Sequence, residues 1–156
     1  MGSNLGDREA WLDRGIRALR ASETILLLQR SSLYESEPVG FSGQPHFLNQ
    51  VVEIATTLHP PELLEFLLQS ERKMGRIREQ RWGPRILDLD VLAFHRLELQ
   101  TENLILPHPE IAQRRFVLVP WCEIAPDFLV PRWNLTVKEL LARCADHSGV
   151  NLFRQV

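Results

Sequence analysis

The chain has 156 residues, 44% hydrophobic and 24% charged, with 18 basic and 20 acidic side chains and a net charge of −2. That is enough for one domain with a real core, residues 1–156, and it excludes the global basic field that would hold nucleic acid or an anionic membrane. No apolar run approaches the ~18 residues of a membrane span and no signal peptide is evident; Cys122 and Cys144 lack CxxC spacing, so free thiols, a cytoplasmic location and no obligate protein partner are expected.

Met1 to Arg8 reads as a polar, glycine-bearing loop, followed by a helix from about Glu9 to Ala21 with Trp11, Ile16 and Leu19 on one side. Thr24 to Tyr34 reads as a strand, and EPVGFSGQPH, Glu37 to His46, as a turn-rich loop of a length often reserved for function. Phe47 to Thr57 is a second strand, with Leu48, Val52 and Ile54 on one face and Phe47, Asn49 and Val51 on the other. His59-Pro60-Pro61 starts a helix running to about Met74, its apolar stripe supplied by Leu63, Leu64, Leu67 and Leu68. Gly75 to Arg85 is another loop and Ile86 to Phe94 a third strand. Glu110 to Trp121 reads as partly helical, and Thr136 to Ala145 as a capped amphipathic helix. Helix, strand, strand, helix, strand fits an α+β domain on the ferredoxin-like split βαβ plan, a mainly antiparallel sheet with flanking helices.

Asp88 and Asp90 interrupt the third strand. At i and i+2 both leave the same face, roughly 7 Å apart along the chain, and two like charges that close favour a shared cation. Mg²⁺ is suited to one or two carboxylates with the rest of its shell from water and phosphate. Alone, the pair also fits exposed carboxylates on an edge strand or carboxylates paired with arginines. Arg76, Arg78, Arg81 and Arg85 lie just upstream, beside Gly75, Gly83 and Pro84. Arginine forks bind phosphate bidentately, and cations joined to a carboxylate pair are what phosphoryl transfer uses. There is no GxxxxGK[ST], so a P-loop is excluded. LPHPEIAQRRF, Leu106 to Phe116, adds His108, Arg114 and Arg115.

GSNLGDR (Gly2 to Arg8), QPHFLNQVV (Gln44 to Val52), GRIR (Gly75 to Arg78), RWGPRILDLDVL (Arg81 to Leu92), PHPEIAQRRFVLVP (Pro107 to Pro120) and EIAP (Glu123 to Pro126) run in order over nearly the whole chain. Together they resemble the 6-hydroxymethyl-7,8-dihydropterin pyrophosphokinase family of folate biosynthesis. The resemblance implies transfer of pyrophosphate from ATP to the pterin hydroxymethyl group with release of AMP. It implies Asp88 and Asp90 as ligands of two Mg²⁺ ions, Arg76 and Arg78 as loop arginines reaching the phosphates, and Trp82 as a residue closing over the site. It places Glu71, Arg85, Val91, His108 and Arg114 among the ATP contacts. Phe47 and Phe116 resemble the rings that sandwich the pterin, with Asn49 and the backbone from Ser36 to Val39 along its edge.

The chain departs from the family pattern at the front. An apolar strand normally stands directly before GSNLGDR, whereas here Met1 precedes Gly2, so the first strand is expected to be missing and the natural chain to start upstream. Position 47 is Phe where Tyr is frequent, and Leu68 stands where some members have a polar ATP contact. An inactive or N-terminally truncated homologue, a Mg²⁺-dependent phosphohydrolase or nuclease, and an RNA-binding ferredoxin-like module are the competing readings. The hydrolase leaves Phe47, Asn49 and Phe116 without a role, and in the RNA module Asp88 and Asp90 would repel a phosphate backbone.

Overall fold

A computed structural model of the chain describes residues 1–38, 43–75 and 85–156. Two residues, Gly2–Ser3, form β1, and helix α1 follows at Arg8–Arg20 with Asp7 as N-cap, its carboxylate accepting the Ala10 amide at 3.0 Å. The next long strand is broken into β2, Ile25–Arg30, and β3, Leu33–Ser36, and its partner into β4, Phe47–Asn49, and β5, Val52–Thr56. Both breaks fall at one place. Ser31 Oγ accepts the Val51 amide at 3.0 Å and Gln50 Nε2 donates to the Ser31 carbonyl at 2.7 Å, so buried side chains replace ladder bonds where the pair bends. Helix α2, Pro60–Lys73, has proline in its first turn, as expected.

Among the described residues all pairings are antiparallel. β4 lies between β1 and β3, β2 pairs with β5, and Gly2 bridges to Asp88 on the side of β1 away from β4. The expected strand at Ile86 to Phe94 is therefore reduced to one isolated bridge, because the two-residue β1 offers no longer partner. The expected opening loop is likewise corrected, since Gly2–Ser3 holds the front position of the sheet. The hairpins β6–β7, Leu99–Gln100 with Ile105–Leu106, and β8–β9, Leu129–Val130 with Leu135–Thr136, carry the chain on. Helix α3 spans Arg115–Ile124, and α4 spans Val137–Arg143 behind a Thr136–Glu139 capping box. Strand β10, Val150–Arg154, pairs with β3. Among the described residues no helix is long and apolar enough to cross a membrane. The chain is an α+β fold.

Two apolar clusters cover the sheet. Leu12 and Leu19 of α1, Leu63 and Leu67 of α2, and Leu33, Leu48, Leu87 and Leu89 form the first. Val117, Leu118 and Trp121 of α3, Val137 and Leu140 of α4, and Val51 form the second. The predicted faces hold: Leu48, Val52 and Ile54 turn to the first cluster and Val51 to the second. Helix α1 sits close to the sheet at Gly15, where a Cβ would stand 2.5 Å from the Met1 methyl and 3.3 Å from Leu87. Past Met1, the free side of β5 and residues 89–95 border an apolar groove.

Candidate active site

A cleft opens between the ends of β3 and β4, the Asp88–Asp90 segment and the start of α3. Ser36, Glu37, Phe47, Asn49, Arg85, Asp88, Asp90, Arg114 and Phe116 line it.

Strand alternation aims the β4 residues. Leu48 is fully buried in the core, so Phe47 and Asn49 turn the other way, into the cleft. Asn49 Nδ2 donates to Ser36 Oγ at 2.8 Å, which fixes the carboxamide. A Cβ on Gly2 would lie 3.2 Å from Asn49 Oδ1 and 3.7 Å from the Phe47 ring. Glycine at this position leaves both of those groups uncovered.

The same alternation operates around the aspartates. Leu87 and Leu89 are 0% and 4% exposed, while the intervening Asp88 and Asp90 reach the cleft. The Gly2 and Asp88 backbones exchange hydrogen bonds of 2.9 and 2.8 Å, and Glu71 Oε1 of α2 accepts the Leu89 amide at 2.7 Å. Arg85 pairs with the Asp88 carboxylate. Arg114 pairs with Glu110 one helical turn earlier and stands 3.8 Å from Asp90, its guanidinium 5.8 Å from the Phe116 ring centre. Asp90, with 46% of its side chain exposed against 16% for Asp88, is the more open carboxylate. Arginine pairing thus relieves the repulsion between the two acids, as one plain reading of the sequence held.

His108 is anchored by its amide to the Leu92 carbonyl at 2.8 Å, and its Nδ1 accepts the Glu110 amide at 3.2 Å. Burial and the Arg114 charge hold it below the usual histidine range against the opposing pull of Asp90, Glu110 and Asp88. With Nδ1 accepting, the neutral ring carries its proton on Nε2.

Eight of the predicted site residues, Ser36, Phe47, Asn49, Arg85, Asp88, Asp90, Arg114 and Phe116, share the cleft wall. Glu71 lies beneath it, 2% exposed, and Val91 lines the neighbouring groove. Val39, Arg76, Arg78, Arg81 and Trp82 lie outside the described residues. Gly2 and the Arg114 partner Glu110 were not read from the sequence as site residues; of these only Glu110 left a signal, its i,i+4 spacing to Arg114.

The donor set fits a hard cation. Two carboxylates line the same cleft, and among the described residues no three His, Cys, Asp or Glu side chains gather as a metal cluster. Such a pair suits Mg²⁺, which leaves most of its shell to water and phosphate oxygens, better than a closed zinc site.

A family model described as 7,8-dihydro-6-hydroxymethylpterin-pyrophosphokinase matches residues 1–126. A Bacillus subtilis protein named 2-amino-4-hydroxy-6-hydroxymethyldihydropteridine pyrophosphokinase is 43% identical over 155 residues, covering 99% of this chain and 88% of the relative. A Methylorubrum extorquens protein of the same name is 45% identical over 150 residues, covering 96% and 93%. In Lactococcus lactis the similarity lies within a longer chain named bifunctional protein FolKE, 40% identical over 147 residues, 94% of this chain and 41% of that one.

Proposed function

The chain belongs to the 7,8-dihydro-6-hydroxymethylpterin-pyrophosphokinase family, and from that premise we propose that it transfers pyrophosphate from ATP to 6-hydroxymethyl-7,8-dihydropterin in folate biosynthesis. The pterin hydroxymethyl oxygen attacks the β-phosphorus. The bond from that phosphorus to the oxygen bridging it to the α-phosphorus breaks, AMP leaves, and the hydroxyl gives up its proton.

One observation carries the reading: Phe47, Asn49, Phe116 and Ser36 face the same cleft as Asp88, Asp90, Arg85 and Arg114. A flat polar heterocycle is well held by aromatic faces and a few edge hydrogen bonds. In this proposal Phe47 and Phe116 stack on the pterin, and Asn49 and the Ser36–Val39 backbone bind its edge. Arg85 and Arg114 orient phosphate oxygens, as would Arg76 and Arg78, while Trp82 helps exclude water. His108 offers its Nε2 proton to the nucleotide. Asp88 and Asp90 would hold Mg²⁺, two ions in this account, and bound Mg²⁺ would neutralise charge on the triphosphate.

The frame is read as one ferredoxin-like domain. The order β2/β3, β4/β5, β1 and then the Asp88 segment, antiparallel throughout, supports that plan. The enzyme is placed in the cytoplasm, where ATP and Mg²⁺ are supplied.

The test is to incubate the protein with ATP and Mg²⁺, with and without the pterin. AMP formed only with pterin supports the reading; pterin-independent ADP or phosphate identifies a phosphohydrolase instead.

A further inference from the structure

Asn4 directly follows β1, is 1% exposed, and touches the chain on both sides of the cleft. Its Oδ1 accepts the Arg85 amide at 2.6 Å and its own amide donates to the Arg85 carbonyl at 3.0 Å. Its Nδ2 donates to Gln44 Oε1 at 3.1 Å and to the Pro45 carbonyl at 3.3 Å. The orientation of the carboxamide is forced: the Arg85 amide can only donate and the Pro45 carbonyl can only accept. Gly6, at φ +61, turns the chain after Asn4, and Arg8 then donates to the His46 carbonyl at 2.8 Å. Residues 44–46 are therefore held twice from the β1–α1 connection. Arg85 carries its guanidinium to Asp88, and Pro45 stands two residues before Phe47.

We infer that Asn4 is a positioning residue for the pyrophosphate transfer proposed above, setting the phosphate side of the cleft at Arg85 against the pterin side at Pro45–Phe47. The inference rests on the pyrophosphokinase reading. Asn4 does not line the cleft; it acts through the two backbones it joins. Each side of the cleft retains its own binding groups without it, but their mutual alignment is lost. Alignment governs turnover more than binding, since a displacement on the order of 1 Å can cost about a hundredfold in rate.

Asn4→Asp separates the two halves of the contact. It keeps the acceptor for the Arg85 amide, removes both donors, and sets a carboxylate against the Pro45 carbonyl. In steady-state assays of AMP release, kcat is expected to fall at least tenfold, with KM for ATP and for pterin each within about threefold of wild type. Gln44→Ala, at a half-buried position, removes the acceptor of Asn4 Nδ2 and is expected to lower kcat about two- to fivefold. The double variant should fall by less than the product of the two single effects, because the Asn4–Gln44 bond is lost in both. Wild-type kcat in either variant, a loss confined to KM, or simple multiplication of the two effects overturns the inference while leaving the pyrophosphokinase reading intact. Absence of pterin-dependent AMP from the wild-type protein overturns both.

Discussion

Glu71 Oε1 accepts the amide proton of Leu89 at 2.7 Å, and Leu89 is the residue between Asp88 and Asp90. Among the described residues the segment has one bridge, at Asp88, to hold it in the sheet, so a buried carboxylate on α2 supplies the next anchor and keeps the two acids in phase with the cleft. The family resemblance put Glu71 among the ATP contacts; its burial at 2% exposure favours an action on the nucleotide site through Leu89. Glu71→Ala should destabilise the protein by about 1–3 kcal/mol, because the buried Leu89 amide loses its acceptor. Glu71→Gln keeps an oxygen there and should recover most of that loss. Denaturant unfolding measures both, and an alanine variant as stable as wild type contradicts the assignment.

The two aspartates should respond differently to removal. Asp90 is the more exposed acid and only loosely paired with Arg114, so Asp90→Ala should abolish turnover and leave the thermal transition nearly unchanged. Asp88→Ala should also abolish turnover but lower the melting temperature, because a largely covered Arg85 loses its partner. Near wild-type AMP release from Asp90→Ala removes the metal-ligand assignment.

His108 makes stability fall with acid. Its folded-state pKa lies below the unfolded value, through burial first and then the Arg114 charge. Between the two values the unfolded chain binds more protons, so the neutral ring contributes its full stability above about pH 6.5 and loses it as pH drops towards the folded value. An NMR titration of metal-free protein should place His108 below the usual range, and His108→Gln should flatten the decline in melting temperature between about pH 6.5 and pH 5. A titration above the usual range contradicts the picture.

Removing an aromatic face should weaken pterin binding selectively. Stacking of a heterocycle on a side-chain ring contributes about 1–3 kcal/mol, so Phe47→Ala or Phe116→Ala should raise KM for pterin roughly tenfold to a hundredfold and spare KM for ATP. Phe47→Tyr keeps the ring and should behave like wild type. Equal effects on both substrates count against the stacking role.

Side-chain periodicity made much of this legible beforehand. The faces of Phe47 to Thr57 and the alternation of Leu87 and Leu89 with Asp88 and Asp90 followed from the two-residue repeat of extended chain. Pro60 at the start of α2 and the Thr136 cap of α4 followed from local backbone chemistry. What was hidden depends on distant partners. β1 is only glycine and serine, poor strand formers held by Asn49, Leu48 and Asp88. β10 is largely exposed and exists through its pairing with β3. Asn4 finds partners 40, 41 and 81 residues away, a relation that no local pattern records.

The most direct measurement follows the β-phosphate. With ATP labelled there, Mg²⁺ and the hydroxymethyl dihydropterin, the label should pass to a pterin diphosphate while unlabelled AMP forms in equal amount. Label found in ADP or in free pyrophosphate would contradict pyrophosphate transfer.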